Sequence, residues 1–116
     1  MKPALLRPQA SIDQQGEARD YRNEAGTRVG VRLVNATSAA LDHIELDPGP
    51  GSPVFGKRFG IPGLRTWQVA KFPLLWCYFE RDDHLDVVRL LSQHQCLMRS
   101  LTPDNERLRR LHSPSH

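Results

Sequence analysis

The chain has 116 residues, 39% of them hydrophobic and 25% charged, with a formal net charge of +3 and two cysteines. That length suits one domain with a single core. The mild positive balance favours an acidic partner but is too small to indicate nucleic-acid binding by itself. Cys77 and Cys96 are too few for a disulfide framework. The opening Met-Lys-Pro-Ala-Leu-Leu-Arg-Pro has no apolar run of signal-peptide length, and no run of about 18 apolar residues occurs anywhere. The expectation is a cytoplasmic protein with reduced thiols.

Residues 2–7 are apolar and closed by Pro8, which reads as a short strand that Pro3 confines to a sheet edge or a strand start. Residues 9–25 turn helical, with Ser11 or Asp13 as the start and Ile12, Ala18, Tyr21 and Ala25 as a narrow apolar stripe. Gly26 stops that helix, and Thr27 caps a second one running to about Leu46. There Val29, Leu33, Ala36, Ala40 and Ile44 recur at helical spacing, widened by Val34 and Leu41. The tight link predicts a helical hairpin.

Residues 47–63 contain four prolines and five glycines, a composition that argues against regular helix and central strand and predicts a structural connector. The glycines match no phosphate loop, because no Gly-Lys-Ser/Thr follows them. Residues 64–70, 74–80 and 85–91 are then rich in aromatic and branched side chains, and their short links permit only antiparallel neighbours. The predicted fold is α+β: an N-terminal strand, a helical hairpin, and an antiparallel three-stranded meander with the hairpin on one face, in two layers. Residues 92–101 are expected to form a short helix packed through Leu97 and Leu101. The expectation is a domain over 1–101 followed by a mobile basic tail over 102–116, with Arg107, Arg109 and Arg110 and one helical turn over 106–111.

Chemistry-bearing constellations are sparse. Cys77, His84, His94 and Cys96 have no zinc-site spacing, and Ser92, His94 and Asp86 fit no triad order. No catalytic residue, metal ligand or cofactor is assigned. Trp67, Trp76, Tyr78 and Phe79 read either as partner anchors or, more commonly on strands, as core. Arg65 and Arg89, set among strand apolars, have two open readings: salt bridges to Asp86 or Glu80, or an exposed basic contact on the sheet.

Particular residues carry a resemblance. Ile61-Pro62-Gly63-Leu64-Arg65-Thr66-Trp67, Lys71-Phe72-Pro73, Trp76-Cys77-Tyr78-Phe79, the charged turn Glu80-Arg81-Asp82-Asp83 and Asp86-Val87-Val88-Arg89-Leu90-Leu91 follow in order. With the connector's Pro50-Gly51-Ser52-Pro53, this series resembles the ParE branch of the RelE/ParE toxin superfamily over roughly residues 2–101. The resemblance implies a type II toxin, neutralised by a ParD-like antitoxin whose disordered C-terminal segment folds on binding, in the groove between hairpin and sheet. It also implies inhibition of DNA gyrase by binding. The competing branch cuts messenger RNA on the ribosome, and a toxin that retains only antitoxin binding is a third reading. In nuclease relatives an arginine precedes the strand tyrosine by three residues, whereas Leu75 stands there before Tyr78. The chain also departs from relatives at His94-Gln95-Cys96, where they read Arg-Gln-Asp or Arg-Arg-Asp. Candidates for target or antitoxin contact are Arg65, Trp67, Lys71, Tyr78, Arg89, His94 and Arg99.

Overall fold

The computed structural model describes residues 1–99, with side chains through Cys96. The expected tail over 102–116, its helical turn, and the packing of Leu97 and Leu101 lie outside the residues and side chains described.

Strand β1 (Ala4–Leu6) begins directly after Pro3. It runs parallel to the last strand at the sheet edge, where the missing proline N–H is harmless. Helix α1 (Pro8–Ala25) starts at the proline itself, because Pro8 brings a preset φ to the first helical position and needs no N–H there. Ser11 and Asp13 therefore lie inside the helix and do not start it. Gly26, at φ 101°, ends α1 and begins α2 (Thr27–Leu46), so one residue makes the whole hairpin turn. Thr27 makes no side-chain cap. The two helices pack closely at Gly30, where a Cβ would stand 3.0 Å from Arg22 Cβ.

The face of α2 that is buried comprises Gly30, Leu33, Thr37, Ala40 and Ile44. The expected stripe is thus rotated: Val29 and Ala36 are half-buried and Val34 points outward. On α1, Ala10 is the buried residue, while Ile12 and Ala25 are exposed. Thr37 is tolerated inside because its hydroxyl donates back to the Leu33 carbonyl (2.9 Å) and accepts from the Gln14 amide (2.8 Å).

The connector departs from expectation by containing a helix, α3 (Val54–Phe59). Its prolines flank the helix instead of interrupting it: Pro53 is the N-cap residue and Pro62 comes after the end. Gly60 closes it in the left-handed conformation. Gly56 sits mid-helix because a Cβ there would lie 2.5 Å from the Leu64 carbonyl oxygen.

Strands β2 (Arg65–Gln68), β3 (Leu74–Glu80) and β4 (Leu85–Ser92) form the expected antiparallel meander, and the sheet order is β1-β4-β3-β2. Between Cys77↔Arg89 and Tyr78↔Val87 the register slips, leaving Val88 as a bulge residue. Six consecutive residues of β3 are buried, which requires cover on both faces. On one face Leu74, Trp76, Tyr78, Val87 and Leu90 pack under the hairpin's Leu33, Ala40 and Ile44. The Trp76 indole N–H donates to the Thr37 carbonyl (2.9 Å), tying sheet to hairpin. On the other face Leu75, Cys77, Phe79, Val88 and Leu91 lie beneath Phe59, Ile61 and Leu64 of the connector and Cys96 of α4 (Gln93–Arg99). The hairpin-on-sheet layering is as expected; the cover on the second face was not foreseen. Among the described residues, no helix is long and apolar enough to cross a membrane.

Candidate partner-binding surface

The seven sequence-predicted contact residues do not converge on one site. Tyr78 is fully buried, and its hydroxyl donates to the Pro48 carbonyl at 2.7 Å. A Cβ on Gly51 would stand 1.9 Å from that hydroxyl, so the connector is moulded around the tyrosine. Burial pushes the Tyr78 phenol up to about 12, against a smaller opposing effect of the Arg65 charge. Tyr78 is therefore built into the core in this structure. Trp67, half-buried and paired across the ladder with Trp76, packs against the hairpin-side core.

Arg65 follows the salt-bridge reading. Its guanidinium meets Glu80 at 2.8 Å, and Lys2 holds the other carboxylate oxygen at 3.0 Å. Hydrogen bonds from Lys2 and then Arg65 hold the Glu80 carboxyl below its ordinary value. Arg89 is also paired, but with neither expected partner. Its Nε donates to Asp13 Oδ2 (2.7 Å) and its Nη2 to Oδ1 (3.2 Å). The pair is largely buried, with side-chain exposures of 14% and 10%. Asp13 also accepts the Leu90 amide at 3.0 Å, beyond the point where β1 stops pairing with β4. A helix carboxylate thus completes a strand edge. Asp86 instead serves Arg7 (2.7 Å) and Arg81 (3.0 Å). Burial pushes its carboxyl up, but the hydrogen bonds and charges of the two arginines outweigh this and hold it below the ordinary value.

Lys71 is exposed in the β2–β3 turn at φ 69°, a left-handed conformation uncommon for lysine. His94 is exposed on α4. α4 starts beside the same turn, because the Gln93 amide donates to the Pro73 carbonyl (3.0 Å). The side chain of Arg99 lies outside those described.

Between α2 and the β2–β3 turn there is an open cleft of about 500 Å³, walled by Val29, Arg32, Ala36, Ala70, Lys71 and Phe72. Elsewhere the space between hairpin and sheet is filled by the core. Between α1 and α2 a second groove of about 490 Å³ has Ala18, Val31 and Val34 as apolar surface and Arg19 and Arg22 beside it. Among the described residues, neither Arg32 nor Lys71 has an ion-pair partner. Sequence reasoning missed Arg32; the available signal was Arg28 and Arg32 at helical i, i+4 spacing, off the buried stripe of α2. Together the two faces of α2 offer apolar floor with cationic edges, chemistry suited to an amphipathic acidic segment. Among the described residues, no group of three or more His, Cys, Asp or Glu side chains could hold a metal ion.

The class defined here is a two-layered α+β fold with extra cover: an edge strand, a one-residue-turn hairpin, and a meander whose second face is covered by the connector. No protein-family model matches the chain, and no curated protein matches it in sequence. Among solved structures it is similar to one described as "Chromosomal ParDE TA system from P. aeruginosa", with a TM-score of 0.68 and 16% identity. The match covers 79% of this chain and 96% of that chain, and at this identity it is a likeness of fold.

Proposed function

We propose that this chain is the toxin of a type II toxin–antitoxin pair, held by a ParD-like antitoxin and acting by binding DNA gyrase. The observation that carries the reading is the fold shared over 96% of a chain from a ParDE system, TA denoting toxin–antitoxin. The antitoxin's acidic segment lies along α2, its carboxylates on Arg32 and Lys71 in the cleft between hairpin and turn. Two features favour binding over RNA cleavage. Tyr78, the strand tyrosine, is sealed under the connector, and Arg89 is neutralised by Asp13. Neither can assist proton transfer or stabilise a phosphorane without rearrangement of the core.

The test is a supercoiling assay with purified gyrase and relaxed plasmid, with and without the purified chain. Inhibition relieved by a ParD-like antitoxin is the expected result. Unimpaired supercoiling at large molar excess, with messenger RNA cut at ribosomes, would replace the gyrase reading with the nuclease one.

A further inference from the structure

The chain has two cysteines, and the fold brings both to one place. Cys77 lies on β3 and Cys96 on α4, with the whole of β4 between them in sequence, yet both are buried in the cluster on the sheet face opposite the hairpin. Cys96 is the neighbour that most raises the Cys77 thiol, as expected of two thiols side by side in that cluster. A cysteine alone in such a cluster would be a small hydrophobe. Two thiols buried in one cluster, on separate elements, have the proximity from which a disulfide is built.

The position of Cys96 gives the pair a mechanical role. Helix α4 has seven residues, too few to be stable without docking. Its start is set by a reciprocal capping box: the Gln95 amide donates to Ser92 Oγ (3.0 Å), and the Ser92 amide donates to Gln95 Oε1 (2.9 Å). Cys96 follows immediately and is fully buried against the sheet. Whatever fixes Cys96 to Cys77 fixes the route by which the chain leaves the domain.

We propose that Cys77 and Cys96 are an oxidative modification site, at which a hydroperoxide drives an intramolecular disulfide that locks α4 onto the sheet. Hydrogen bonding with Cys96, and then burial, push the Cys77 thiol well above its ordinary value, so Cys77 is not the thiol that ionises to start the reaction. The reaction is gated by undocking of α4, which brings Cys96 to solvent. The Cys96 thiolate attacks hydrogen peroxide, forming Cys96 sulfenic acid and releasing hydroxide. When α4 redocks, the Cys77 sulfur displaces the sulfenic hydroxyl. The S–S bond forms, the S–O bond breaks, and the thiol proton leaves with the hydroxyl as water. Overall, two thiols and one peroxide give one disulfide and two waters.

The experiment uses the full chain, reduced, then exposed to hydrogen peroxide, quenched by thiol alkylation under denaturing conditions, and examined by intact mass and non-reducing peptide mapping. The expected product is a monomer lighter by two hydrogens, with no alkyl adduct and a Cys77–Cys96 linked peptide. It melts several degrees above the reduced form, and dithiothreitol reverses the shift. C96A should remove both the linkage and the peroxide-dependent melting shift. The wild-type comparison needs no variant, so a poorly folding C77S leaves the test intact. Thiols that remain fully alkylated, disulfides only between molecules, or sulfinic acid at Cys96 without linkage would each overturn the proposal.

Discussion

Replacing Asp13 with alanine removes four hydrogen bonds at once: two from Arg89, one from the Leu90 amide and an exposed one from the Gln9 side-chain amide. The guanidinium left behind has 14% of its side chain exposed, so water reaches it poorly. Breaking a buried ion pair from one side costs about 3–5 kcal/mol, and the partial exposure places this case near 3. The unpaired Leu90 amide belongs to the same site and adds about 1 kcal/mol at most, because the losses overlap. With a urea m-value of about 1–3 kcal/mol/M, the denaturation midpoint should fall by roughly 1–3 M. Asp13→Asn keeps an acceptor for the amide and should fall between wild type and Asp13→Ala. Arg89→Met in the Asp13→Ala background should restore part of the loss, because no charge is then stranded. Circular dichroism during urea unfolding measures all four proteins. A cost for Asp13→Ala of about 0.5 kcal/mol or less, typical of an open surface, would refute the reasoning. So would a double variant no more stable than Asp13→Ala.

Two further outcomes are expected. Tyr78, with its phenol raised to about 12, should ionise well after an ordinary tyrosine, and it confers stability that is complete below about pH 10 and lost as pH rises through 12. Absorbance titration of the native protein should show that late step, and Tyr78→Phe should abolish it; two tyrosines both ionising near 10 in the folded chain would contradict it. Charge reversal at the α2 cleft, Arg32→Glu with Lys71→Glu, should weaken antitoxin capture by at least about tenfold, mainly through slower association, while the thermal midpoint stays close to wild type. Unchanged capture would move the contact to the second groove beside Arg19 and Arg22.

Local signals account for the elements that were legible in the sequence. The helix over Thr27–Leu46 and the strand Leu74–Glu80 follow from apolar periodicity and from composition bounded by Gly26 and by the Phe72-Pro73 and Arg81–His84 links. The position of β1 at an edge follows from Pro3, which cannot donate to a ladder. The helix Val54–Phe59 was not legible, because a glycine inside it reads as a breaker unless the approach of the Leu64 carbonyl to Gly56 is known. The outward aspect of Ile12 and Val34 was equally hidden, since period counting gives a stripe but not the rotation at which the hairpin docks.

The candidate surface divides along the same line. The sequence by itself determined the strand and helix order, the ParE-like resemblance, and which cations and aromatics were available. Tertiary structure alone decided their roles. Ion-pair choice depends on distances between elements far apart in sequence: Arg89 pairs with Asp13 and Asp86 with Arg7 and Arg81, while Arg32 and Lys71 face the cleft. The meeting of Cys77 and Cys96 is of the same kind. No spacing rule encodes it, because the two thiols are brought together by a capped helix folding back onto the sheet.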